Sequence, residues 1–162
     1  MAQWTHRGVA LLFCMAVFCG CLGAQTEKTI TIRMLDGKTG KLIETSNYLV
    51  RVDHEQTVHA NWVVQNEDGT GKLTLPGGAS AFSIHATYDS AMYIYVNCDS
   101  ATRKANPADH WYGVSEILTA GVVAPNGCRN PKDAAKIRPI SKPGEFVFFV
   151  RKLNALEQFA ED

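Results

Sequence analysis

The sequence predicts an all-β fold, an antiparallel β-sandwich. Three observations carry that expectation. Apolar and polar residues alternate with period two in several short runs. Turn signals built on Gly, Pro, Asn and Asp separate those runs. No strand–long helix–strand alternation is visible, so a parallel sheet is not expected.

The first run, Thr29-Ile30-Thr31-Ile32-Arg33-Met34, places Ile30, Ile32 and Met34 on one side, as a half-buried strand does. Asp36-Gly37-Lys38-Thr39-Gly40 ends it as a turn. Tyr48 to Asp53 reads as a second strand with Tyr48, Val50 and Val52 inward. Val58 to Val64 reads as a third, with Val58, Ala60, Trp62 and Val64 inward. Asn66 to Gly71 contains Asp68-Gly69, a hairpin signal because the turn requires positive φ. Lys72 to Leu75 is a short strand that runs into the Pro76-Gly77-Gly78 turn. Ala81 to Thr87 alternates again with Phe82, Ile84 and Ala86 inward, which leaves His85 on the outer face. Met92 to Asn97 follows, with Met92, Ile94 and Val96 inward and Tyr93 and Tyr95 outward.

Beyond residue 97 the pattern loosens. His110 to Leu118 is read as a strand, and Thr119 to Lys142 as a long loop pinned at Cys128. Glu145-Phe146-Val147-Phe148-Phe149-Val150-Arg151 is nearly all apolar, the signature of a central strand buried on both faces. Leu153 to Phe159 is expected to form a turn or two of C-terminal helix.

The N-terminus is expected to be a leader rather than part of the fold. Arg7 precedes an uncharged run from Gly8 to Ala24 that ends in small residues, the layout of a secretory signal. The run is shorter than the roughly 20 apolar residues of a spanning helix. Residues 1–24 are therefore assigned to a signal peptide and 25–162 to one domain. Cleavage near Ala24 would release a free chain. Lipidation at Cys21 is the competing reading; Gly20 suits it, whereas Phe18 and Cys19 do not. The destination in either case is an exported one: periplasm, cell surface or extracellular space.

Removing the leader leaves Cys98 and Cys128 of the five cysteines. An even pair in an exported chain reads as a disulfide, and the wide spacing is unlike the close pairs of metal sites. The charges nearly balance, 16 basic against 16 acidic residues. That gives no basic patch for a nucleic-acid partner.

Two segments resemble a known family. Thr31 to Ile43, with Asp36-Gly37-Lys38-Thr39-Gly40 at its centre, is similar to the first strand and turn of carboxypeptidase regulatory-like domains. Asn66 to Gly78 is similar to their later turn, short strand and Pro-Gly turn. The resemblance covers residues 28–97; Leu42 stands where that family prefers Pro, and 98–162 is an extension with no counterpart. It implies an Ig-like, transthyretin-like sandwich and a non-enzymatic accessory, binding or structural module of the cell envelope.

Chemical motifs are sparse. His54, His59, His85 and His110 are scattered, and no cofactor or metal is implied. Asp36 and the group Asn66, Glu67 and Asp68 fit turns better than a calcium loop. No G-x-S-x-G, H-E-x-x-H or phosphate-loop motif occurs, although a small secreted hydrolase with a dispersed site stays open. Tyr93, Tyr95, Trp111 and Tyr112 are the candidate binding residues, an aromatic platform for a glycan or a protein partner. The competing reading is that the loop closed by Cys98 and Cys128 covers them.

Overall fold

The computed structural model describes residues 26–44, 47–87, 94–99, 110–128, 138–154 and 156–157. Residues 1–24, expected to be a leader, with Cys21 among them, and Tyr93 lie outside the described residues. The described residues are mostly β, in two sheets, with a short helix.

The larger sheet is built around the first and last strands. β1 (Lys28–Asp36) pairs antiparallel with β4 (Gly71–Leu75), and β3 (Val63–Gln65) extends the sheet beyond β4. On its other side β1 lies beside β9 (Glu145–Lys152), which in turn pairs with β6 (Tyr95–Asn97) and β8 (Val122–Val123). The smaller sheet is β2 (Tyr48–Val52), β5 (Ala81–Ala86) and β7 (Tyr112–Gly113).

The expectation of purely antiparallel pairing is corrected here. β1 and β9 run parallel, from Thr31 opposite Glu145 to Asp36 opposite Val150, and β8 is also parallel to β9. Parallel strands need a long connection, which is why sequence neighbours avoid the arrangement. The first and last strands have the whole chain between them, so no such constraint applies.

β9 is buried on both faces, as its composition predicts. Phe146, Phe148 and Val150 join the main core with Ile30, Ile32, Met34, Val50, Phe82 and Ile84, so both sheets contribute to one interior. Phe82 meets Phe146 edge to face at 5.3 Å, and Tyr48 lies 6.5 Å from Phe148. Val147 and Phe149 face the opposite way, into a second cluster with Leu35 and Cys98. The Cys98–Cys128 disulfide closes that cluster. Cross-linking residues that far apart stabilises a fold by about 3–4 kcal/mol, a substantial part of the roughly 5–15 kcal/mol typical of a domain.

Pairing also extends beyond the named strands at two edges. Val50 and His59 exchange backbone hydrogen bonds at 2.7 and 3.3 Å. At the other edge the buried Asn97 side chain acts as a piece of strand, donating to Ile84 O at 2.7 Å and accepting from Ala86 N at 3.3 Å. A buried amide satisfied in this way contributes specificity rather than cost.

Three further expectations change. The run Val58–Val64 is not one strand: after the His59 bridge the chain turns at Ala60 and Asn61 and resumes as β3. The turn resets the alternation, so Val63 is buried and Val64 is 64% exposed. His110–Leu118 is not a strand beyond Gly113; it becomes α1 (Val114–Ala120). Val114, Ile117 and Leu118 fall on one helical face, and Gly121, with φ of 75°, ends the helix by donating its N–H to Ile117 O. Within the expected loop 119–142, Val122 and Val123 form β8. The C-terminal helix begins as expected: Asn154 and Glu157 exchange side-chain-to-backbone bonds at 2.9 and 3.1 Å, a capping box. The remainder of that segment lies outside the described residues.

Candidate functional site

The candidate residues fall in two places, and turn chemistry determines both. The first is the end of the smaller sheet where β2, β5 and β7 meet. The chain leaves β2 through Asp53 and His54, both left-handed at φ of 49° and 64°, and Glu55 N donates back to Val52 O at 2.9 Å. Non-glycine residues adopt that conformation at a cost, so neighbouring contacts must hold it. Asp53 Oδ1 accepts three hydrogen bonds, from Ser80 N (2.9 Å), Ser80 Oγ (2.6 Å) and Ala81 N (2.9 Å). The His54 ring lies 4.1 Å from that of Trp111.

The Ser80 hydroxyl bond, above all, lowers the Asp53 pKa below the ordinary carboxylate value. Its sign follows from linkage: the unfolded carboxyl takes up a proton at higher pH than the folded one. The stabilisation is fully present above the ordinary carboxylate range and is lost as pH falls through the lower folded value. Asp53→Asn keeps the tolerance for left-handed backbone but removes the charge. Wild type is expected to exceed the variant in stability at neutral pH, with the gap closing under acid. Urea unfolding at a series of pH values checks this; a gap unchanged down to the acid limit contradicts it.

Among the described residues, Tyr95, Trp111 and Tyr112 do not assemble into an open platform. Tyr112 is 6% exposed and packs 4.4 Å from Phe146, while its hydroxyl donates to Asp99 at 2.6 Å. Desolvation, and then that bond, raise its pKa strongly. Tyr112 is therefore a core residue, not a surface one, because the phase of β7 turns it inward. Tyr95 also packs against the main core rather than standing on the outer face; in β6 it is Asn97 that is fully buried, which reverses the expected phase of this strand. Trp111 is half-buried beside His54.

The histidines follow the same rule. His59 stacks on Trp62 at 3.7 Å, and His110 on Tyr112 at 4.6 Å. His85 Nε2 lies 3.2 Å from Ser83 Oγ, the spacing of a nucleophile and its base. Ser83 is only 1% exposed, however, so an acyl group has no approach to its oxygen. Among the described residues, no group of three or more His, Cys, Asp or Glu gathers in a way that could hold a metal ion. Nor, among them, is any helix long and apolar enough to cross a membrane.

The second place is the disulfide. Gly37 N donates to Val150 O at 2.7 Å and Gly37 O accepts from Asn126 Nδ2 at 2.8 Å, which seats the 36–40 turn on the cross-link. Asp36 Oδ1 fixes that turn through Lys38 N, Thr39 N and the Thr39 hydroxyl. Asp68 does the same for the 66–71 turn through Thr70 N and its hydroxyl. The acids that sequence reading separated from calcium ligation are thus turn locks.

Among the described residues the geometry defines a mostly β protein with two sheets, fastened by the Cys98–Cys128 disulfide. Comparison of the chain with protein-family models, curated proteins and solved structures returned no match.

Proposed function

We propose that this chain is an exported, non-enzymatic module of the cell envelope, acting in binding or as a structural accessory, with a transthyretin-like sandwich of the carboxypeptidase regulatory-like type. One observation carries the reading: among the described residues, four acids are engaged in holding turns and a ring in place. Asp36, Asp53 and Asp68 each lock a turn, and Asp99 holds the Tyr112 hydroxyl. The family-like part gains support from contact between its two motif turns. Gly69, at φ of 79°, packs so closely against Leu42 and Glu44 that a Cβ there would lie 2.8 Å from the Leu42 side chain. The export part is supported by a disulfide in the interior, a linkage that persists in oxidising compartments.

The test is a turnover screen of the mature chain on ester, glycan and peptide substrates, run beside Ser83→Ala. Flat traces for both proteins are expected. Turnover by wild type that Ser83→Ala abolishes would replace this reading with the hydrolase. Mass analysis of the mature N-terminus decides between a chain that begins near Gln25 and one lipidated at Cys21.

Of its candidate residues, a carbohydrate-binding reading retains the half-buried Trp111, since Tyr95 and Tyr112 pack against the core. A glycan array with Trp111→Ala as control tests it; sugar binding that the substitution removes is the supporting result.

A further inference from the structure

Asn126-Gly127 is the sole Asn-Gly pair in the sequence. The pair has an intrinsic chemistry, because the residue after the asparagine has no side chain to hinder its backbone nitrogen. Gly127 N can attack the Asn126 side-chain carbonyl carbon. A bond forms between Gly127 N and Asn126 Cγ, the Cγ–Nδ2 bond breaks, and the proton from Gly127 N leaves with the ammonia. Water then opens the cyclic imide at either carbonyl to give aspartate or isoaspartate. The balance is one water taken up and one ammonia released.

Every group in that reaction is held in this fold. The attacking nitrogen, Gly127 N, donates to Cys98 O at 2.6 Å. The leaving group, Asn126 Nδ2, donates to Gly37 O at 2.8 Å, and Asn126 Oδ1 accepts from Cys128 N at 3.3 Å. Space is equally restricted: a Cβ on Gly127 would lie 2.6 Å from Cys98 O, and one on Gly37 would lie 3.1 Å from Asn126 Oδ1. Two of these three bonds run to Cys98 and Cys128, the residues that the disulfide joins.

We propose that Asn126-Gly127 is a spontaneous modification site gated by the Cys98–Cys128 disulfide. A thiol reductant converts the cystine to two thiols and is itself oxidised to its disulfide. The 126–128 turn is then held to Cys98 only by the Gly127 N to Cys98 O hydrogen bond, which opens far more readily than a covalent cross-link, and the imide geometry becomes accessible. The product cannot re-form the native contact. A carboxylate at 126 has no hydrogen to donate to Gly37 O and sets two acceptors face to face. Reduction, which is reversible, becomes a permanent release of the 36–40 turn from the cross-link.

The experiment uses the mature chain, oxidised or reduced with a dithiol and alkylated, held at mildly alkaline pH and mapped by peptide mass. Conversion at Asn126 is expected to be at least about tenfold faster in the reduced chain, since the oxidised site reacts only from an opened state. Asn61, Asn66 and Asn97 are expected to stay intact in both. Equal rates overturn the proposal. So does loss of the far-ultraviolet β signal on reduction, because the whole fold and not the disulfide would then be the gate. Asn126→Asp, reduced and returned to oxidising buffer, is expected to re-form the disulfide more slowly than wild type; equal recovery overturns the one-way release.

Discussion

Gly37→Ala is expected to lose roughly 1–3 kcal/mol of stability and to loosen the cross-link, the range for adding a methyl group to a filled site. The cause is local and geometric. A Cβ at position 37 would lie 2.7 Å from Cys98 Sγ, 3.0 Å from Cys128 Cβ and 3.1 Å from Asn126 Oδ1. Two of these belong to the cystine itself, and the third, the Asn126 side-chain oxygen, accepts from Cys128 N. The turn would have to lift, which strains the Gly37 N to Val150 O and Asn126 Nδ2 to Gly37 O bonds. Two measurements check this: urea unfolding, and thiol titration of the native protein under mild reductant. The variant should expose its thiols sooner. Wild-type stability together with wild-type resistance to reduction would contradict the packing described.

Phe146→Ala should have the larger effect, about 3–5 kcal/mol, the range for removing a buried phenylalanine and leaving a cavity. Phe146 is fully buried where the two sheets meet, in ring contact with Phe82, Tyr112 and Phe148. It also sits in the register that holds β9 beside β1, opposite Ile32. Because such a loss can approach the whole stability of a domain, Phe146→Leu is the companion variant. Leucine keeps much of the apolar volume, so Phe146→Leu is expected to fold with a smaller deficit. Chemical denaturation of both gives the order wild type, Leu, Ala; an alanine variant within 1 kcal/mol of wild type, well below that range, would be incompatible with a central β9.

The sequence revealed elements where one signal dominated. β1, β2, β4 and β5 alternate cleanly between turns rich in glycine and asparagine, and each appears where the pattern places it. β9 was legible from its apolar run, though its partner was not, since composition holds no information on whether the last strand returns parallel or antiparallel. Errors arose where a turn reset the period. Ala60 and Asn61 carry no Gly or Pro, so the break between His59 and β3 has no strong local marker. In 110–118, expected as a strand, the 114, 117, 118 spacing and Gly121 together mark the helix.

The candidate site was less legible than the fold. The cystine followed from counting cysteines. The Asp53 clamp and the pairing of His54 with Trp111 join residues far apart in sequence, and no spacing rule connects them. The outward phase expected for Tyr95 differs from the structure because β6 has three residues, too few for alternation to fix a phase.

The linkage between Cys98 and Cys128 seats the 36–40 turn, and both the proposed export and the proposed gating of Asn126 rest on it. Peptide mapping without reduction, on protein recovered from its native compartment, tests it most directly. The expected result is one cross-linked peptide pair joining Cys98 to Cys128 on a chain that has lost residues 1–24. Two free thiols, both alkylated in the native protein, would contradict it.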